Sequence, residues 1–341
     1  TDVPIYILAL VIGVYQIFHA SINLVTYVLY RKNKIRPRFR LLLDGLVLVF
    51  LGGTSLLSST GNSVFQLFVL GAYFFLYGVS NIRDGFLFEE EIGKNHLKRR
   101  VRMSLPIVLA ALIPARTLAK INKFMLENAD EEEDIHLGIV KSGKTAELEI
   151  FVHTAETSLF SAIGHVDICY QGRVISYGNY DPSSETLFGM VGDGVLYFCD
   201  RDKYIDLCKR ESQKTLFGYG IDLTPEMEKA VQKKLAELKQ LTIPWEPSAD
   251  KIMTGDGKED YTYAYKIRHE TDGELYKFIK SKFKSYFVLS TNCVLLADTI
   301  VGQAGTDILS PKGFIAPGTY QAYLNREFEK PNSIVVSKHV Y

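Results

Sequence analysis

The chain has 341 residues, with 39 lysines and arginines against 39 aspartates and glutamates, and so a formal net charge of zero. That balance, with no basic stripe in the C-terminal half, argues against nucleic acid as a partner. The four cysteines form no CxxC pair, which argues against a zinc site or a disulfide scaffold. No metal or cofactor is expected, and the length predicts two units.

The first 120 residues read as membrane and the last 200 as a globular domain. Residues 3–30 are largely apolar, long enough to cross a bilayer core of roughly 30 Å with some tilt. They lack a basic n-region and a small-residue cleavage pattern, so they are expected to remain as an anchor. Residues 41–57 and 64–80 are two further candidate spans. Arg31, Lys32, Lys34, Arg36, Arg38 and Arg40 lie between the first two spans without an acid. Arg83, Lys94, Lys98, Arg99, Arg100 and Arg102 follow the third. The positive-inside rule puts both basic loops in the cytoplasm.

A fourth segment, 105–118, holds Pro106, Pro114 and Arg116. If it crosses, the large domain lies outside the cytoplasm; if it rests along the surface as an interfacial helix, the domain stays inside. The basic cluster before it favours crossing, which predicts a multi-pass cell-membrane protein with an extracytoplasmic domain. Gln16, His19 and Asn23 in the first span and Asp44 in the second are polar groups at membrane depth. They are expected to face the bundle interior through helix packing, with Asp44 also a candidate substrate contact.

Residues 121–145 include the acidic run 130–134 and read as a solvated linker, leaving a transmembrane domain over 1–120 with three or four helices and a soluble domain over 146–341. From Ala146 the period becomes two: Leu148, Ile150 and Val152, then Val166, Ile168 and Tyr170, then Val174 and Ile175 predict strands of one antiparallel sheet. Gly172 marks a hairpin. Thr224 caps a predicted helix over 225–239 that has Glu226 and Glu228 near its start, a second helix is predicted over 273–284, and Tyr261, Tyr263 and Tyr265 read as a strand. The layout is α+β.

The stretch Ser290-Thr291-Asn292-Cys293 joins a short strand, 286–289, to a helical pattern over 294–301, with Ser290 or Thr291 able to cap the helix. A thiol at a helix N-terminus meets free N–H groups and the positive end of the dipole, which favour the nucleophilic thiolate. Upstream, alternation puts His165, Asp167 and Cys169 on one face of a strand. A histidine facing that thiol could serve as its base. Cys199 and Cys208 could pair as a disulfide in an extracytoplasmic domain.

Four stretches carry a resemblance. The run 157–165 ending in Gly164-His165, then Tyr177-Gly178-Asn179-Tyr180-Asp181, then Asp222-Leu223-Thr224 opening a helix, and finally Asn292-Cys293, resemble the circularly permuted papain-like superfamily. The likeness is to domains related to NlpC/P60 and to lecithin:retinol acyltransferase, especially the periplasmic thiol domain of some bacterial lipoprotein N-acylating enzymes. It spans residues 148–324 and leaves out the membrane half. It implies a permuted papain-like antiparallel sheet with helices, Cys293 as nucleophile and His165 as base. Tyr177, Asn179 or Asp181 would orient the imidazole. Asn292 would cap the helix or help the Cys293 N–H form an oxyanion hole.

Three functions follow. The first is a membrane-anchored cysteine acyltransferase working through a thioester on phospholipid or lipoprotein substrates, as in lipoprotein N-acylation. The second is a cell-wall peptide amidase or endopeptidase of NlpC/P60 type. The third is a non-catalytic membrane scaffold with a structural cysteine.

Overall fold

The computed structural model describes residues 3–36, 38–57, 63–86, 138–140, 146–153, 164–212, 216–253, 257, 259–302, 317–330 and 333–341. The expected fourth segment, 105–118, lies outside them, as does most of the acidic linker. The chain divides into two compact units.

The N-terminal unit holds α1 (Val3–Lys32), α2 (Phe39–Leu57) and α3 (Ser63–Phe86). Among the described residues two helices, Tyr6–Lys32 and Phe39–Leu57, are long and apolar enough to cross a membrane. Helices α1 and α2 pack closely because glycines face each other: a Cβ on Gly52 would lie 3.0 Å from the Gly13 carbonyl oxygen. Gln16, Thr26 and Ser55 are buried, while Ile7, Val11, Phe39, Phe50 and Leu57 are exposed. This inverts the pattern of a water-soluble helix pair, which buries its apolar stripe. Gln16 thus faces inward as expected. Asp44 does not: it pairs with Arg40 at 3.6 Å, one turn earlier, and both side chains stay partly exposed.

In the C-terminal unit the element order is β1 (Gly138–Val140), β2 (Leu148–His153), β3 (His165–Tyr170), β4 (Arg173–Gly178), β5 (Val191–Asp193), β6 (Val195–Asp200), α4 (Arg201–Ser212), β7 (Leu216–Ile221), α5 (Pro225–Lys239) and β8 (Thr242–Pro244). There follow β9 (Lys251–Met253), β10 (Glu259–Tyr261), α6 (Tyr263–Glu270), β11 (Glu274–Phe278), β12 (Ser285–Phe287), α7 (Cys293–Val301), α8 (Pro317–Phe328) and β13 (Val335–Val340). Nine strands make one antiparallel sheet in the order β1-β13-β7-β2-β3-β4-β6-β11-β8. Strand β1 falls inside the stretch read as linker, so the sheet begins before residue 146.

Alternation sorts the strand residues between two cores. Leu148, Ile150, Val152, Val166, Ile168 and Ile175 pack with Met227 and Val231 of α5, Val294, Leu296 and Ile300 of α7 and Leu324 of α8. Phe151, Cys169, Val174 and Tyr197 pack on the other side with Tyr204 and Leu207 of α4 and Ala264 and Ile267 of α6. Helices therefore cover both faces of an α+β fold. Each fully buried aliphatic or Phe side chain contributes about 1.5–3 kcal/mol. The β3–β4 hairpin turns through Gln171 (φ 51°) and Gly172 (φ 73°), the pair of positive values that a tight two-residue hairpin needs.

Two expectations fail near α6. Tyr263 and Tyr265 lie in a helix rather than a strand, because the Thr262 hydroxyl accepts the Tyr265 N–H and opens a turn there. Tyr261 and Tyr265, four residues apart, then stack at 4.2 Å. The predicted helix over 273–284 is instead strand β11 and a 3₁₀ turn at Lys282–Lys284. The chain reverses at Asp272 (φ 52°) against a close backbone approach, where a Cβ on Gly273 would meet the Ile267 carbonyl at 2.4 Å. Beyond it, pairing with both β6 and β8 overrides helix propensity.

Candidate active site

The site begins at the first residue of β3. Strand β3 pairs with β4 over Ile168–Tyr170 near their hairpin. On its other side β3 pairs with β2 along its whole length, setting His165 opposite His153 and Asp167 opposite Phe151. Alternation sends His165 and Asp167 to the same face. Asp167 is fully buried, and its Oδ2 accepts from His153 Nε2 at 2.7 Å and from the Tyr204 hydroxyl at 2.5 Å. Its Oδ1 lies 2.8 Å from His165 Nε2. That approach is a charge contact rather than an aligned hydrogen bond. The same Nε2 is 3.0 Å from the Ser176 hydroxyl and 3.0 Å from the Tyr180 hydroxyl, which lie 2.8 Å from each other.

Cys293 comes from the other core and lies near enough to this imidazole to act on its charge. It is the first residue of α7 and only 3% exposed. Asn292 is the N-cap: its side chain accepts the Leu295 N–H at 3.1 Å and donates to the Val288 carbonyl at 3.0 Å. The Thr291 hydroxyl donates to Ser285 O at 2.8 Å. The cap therefore falls on Asn292 rather than Ser290 or Thr291. With that side chain holding Leu295, the N–H groups of Cys293 and Val294 belong to the first helical turn, where the ladder supplies no acceptor.

Burial alone would lower the proton affinity of His165. The Asp167 charge, and then Cys293, outweigh it and hold the imidazole well above the ordinary histidine value. A quarter of the side chain remains accessible, so solvent moderates the effect. Burial would likewise raise Asp167, yet His165 and His153 pull it far below the usual carboxylate range. Burial, then the Asp167 charge, pushes the Tyr180 and Tyr204 hydroxyls up and keeps them as donors. Burial and Cys293 do the same to Tyr286. The arrangement can hold a thiolate–imidazolium pair whose cation is fixed by a buried carboxylate.

The three residues expected to orient the imidazole are engaged elsewhere. Tyr177 belongs to the other core, where its hydroxyl donates to Phe283 O at 2.9 Å and its ring packs on Phe278, Phe283 and Tyr286. The Asn179 amide donates to Glu185 at 3.3 Å and to Gly189 O at 3.5 Å. Asp181 caps the turn at Pro182–Ser184 and pairs with Lys277 at 2.5 Å. The carboxylate on the imidazole is Asp167, two residues along the same strand. Sequence reasoning missed His153, Ser176, Tyr180, Tyr204 and Tyr286; alternation carried a signal for Asp167 alone.

All four cysteines are free and buried, so the Cys199–Cys208 disulfide is absent. Burial first of all pushes the Cys169 and Cys208 thiols up to about 12. Among the described residues no group of three or more His, Cys, Asp or Glu could hold a metal ion. No family model matches the chain, and no curated protein or solved structure matches it.

Proposed function

We propose that the chain is a membrane-anchored thiol acyltransferase with a permuted papain-like catalytic domain. Cys293 is the nucleophile, His165 the acid–base and Asp167 the residue that orients the imidazole. The observation carrying this reading is the His165 imidazole 2.8 Å from a buried carboxylate, with a thiol at a helix N-terminus near enough to act on its charge. The histidine strand precedes the cysteine helix, in the permuted order. Two apolar helices on the same chain favour a lipid or lipoprotein substrate over a soluble peptide. The third and fourth spans and an extracytoplasmic domain belong to the same proposal.

In the first half-reaction the thiolate attacks a phospholipid ester carbonyl. The ester C–O bond breaks, and the departing alkoxide takes the proton from the His165 imidazolium, leaving a thioester on Cys293. In the second, an acceptor amine attacks the thioester while neutral His165 takes the amine proton. The thiolate leaves and an amide is formed. The N–H groups at the start of α7 would stabilise the oxyanion in both halves.

The test is mass spectrometry of the full chain incubated with phospholipid vesicles. An acyl mass on Cys293, removed by hydroxylamine and missing in Cys293→Ser, is expected. Peptide release from cell-wall fragments with no such adduct would replace this reading with the amidase. A fully active Cys293→Ser protein would end both.

A further inference from the structure

The loop between the Pro182–Ser184 turn and β5 has an unusual tip. Leu187 (φ 50°), Phe188 (φ 57°) and Gly189 (φ 79°) are three successive left-handed residues, and two of them are large and apolar. Such residues rarely adopt this backbone, and it persists only where the surroundings impose it. The tip is closed at its base by reciprocal Thr186 and Val191 backbone bonds of 2.8 and 3.2 Å, and Met190 N donates to Leu187 O at 3.2 Å. Asn179 braces it through Glu185 and the Gly189 carbonyl. The result is that Phe188 is 96% exposed and Leu187 49%. A soluble surface gains nothing by holding two apolar side chains out on a strained, well-braced turn.

The same tip is wired to the thiol. Val288 N donates to Met190 O at 3.0 Å, and the Val288 carbonyl accepts the Asn292 amide at 3.0 Å. Asn292 caps the helix that begins at Cys293. One continuous run of hydrogen bonds thus joins the apolar tip to the nucleophile's helix. The chain also carries two helices apolar enough to cross a bilayer.

We infer that the Leu187–Phe188 tip is a membrane-docking element that dips into the acyl region of a phospholipid bilayer and brings the Cys293 helix to the lipid surface. This rests on the membrane anchoring proposed above and not on the thiol chemistry. Two exposed apolar side chains on a rigid turn suit the boundary between headgroups and acyl chains, as interfacial anchors do.

The test uses the full chain in phosphatidylcholine vesicles. Phe188→Trp adds one indole to a chain whose one tryptophan is Trp245, so the difference from the parent reports the tip. Lipids brominated high on their acyl chains should quench the added emission by about half, while aqueous iodide should barely touch it. Quenching by iodide and not by brominated lipid would overturn the docking. Leu187→Asn with Phe188→Asn keeps residues that accept the left-handed backbone, so the fold is preserved. Its acylation of Cys293 by vesicle lipid should fall about tenfold while iodoacetamide labels Cys293 as before; unchanged acylation would overturn the proposal. If the parent forms no acyl adduct at all, the thiol reading fails and the quenching still decides the docking.

Discussion

The two faces of the nine-stranded sheet are built on opposite terms. On one, Ile168, Ile175, Leu296 and Ile300 make an apolar core around α5, α7 and α8. On the other, beside apolar Phe151 and Ile267, His153 and Tyr204 bond Asp167, and Ser176 bonds His165 and Tyr180. The first face can lose volume and suffer only in stability. On the second, removing one partner strands another in low dielectric, which makes polar networks sensitive to single changes. Cys293 comes from the apolar face and His165 from the polar one, so the proposed reactive pair sits where the two meet. In the proposed mechanism a thiol seated in the apolar core draws its reactivity from polar groups on the other face.

The largest expected break in this contrast is Asp167→Asn. It keeps shape but removes the charge that holds both His165 and His153, so kcat should fall by up to about 10⁴-fold with KM little changed. His153→Gln and Tyr204→Phe each leave Asp167 charged but less firmly held, and a smaller kcat loss of about 10–100-fold is expected, of the size that partners one layer behind a reactive group give. A rate unchanged in both would show that Asp167 needs no clamp. On the apolar face Ile300→Ala should lower unfolding free energy by about 2–5 kcal/mol while leaving kcat alone at permissive temperature. Chemical denaturation and steady-state rates would separate the two effects.

The smallest effect is in pH. His165 is raised in the folded state, so its stabilising charge is fully present below about 6.5, its unfolded value, and is lost as pH rises through the folded value. Asp167 is lowered, so its contribution is present above about 3.9 and is lost only as pH falls through its much lower folded value. The Tm advantage of wild type over His165→Gln should therefore be largest near pH 5–6 and shrink on the alkaline side. An advantage that grows with pH would contradict the charge pairing.

Much of this fold is legible in the chain itself. Period-two runs place β2, β3 and β4, Thr224 marks the start of α5, and the apolar run after Asn292 marks α7. His165 and Cys293 follow from strand alternation and helix-start chemistry. The orienting carboxylate is easily misplaced onto the following strand, because the pairing of side chains across strands depends on register. Asp167 shares its strand face with His165 by simple alternation, whereas His153 joins through the β2–β3 register, which no local spacing reveals. Around Tyr263 and Glu274 local propensity and the surrounding structure disagree: a capping hydroxyl turns the tyrosines into a helix, and pairing on both sides makes β11 a strand.

The sharpest test of the Cys293–His165 pairing is the rate of iodoacetamide alkylation at Cys293 near pH 6.5, compared between wild type and His165→Ala by peptide mass spectrometry. Cys169 and Cys208 serve as internal controls that stay unmodified in the folded chain, since burial holds their thiols up at about 12. If the imidazolium supports a thiolate, the wild-type rate exceeds that of His165→Ala by about tenfold or more. Equal rates in the two proteins would contradict the pairing.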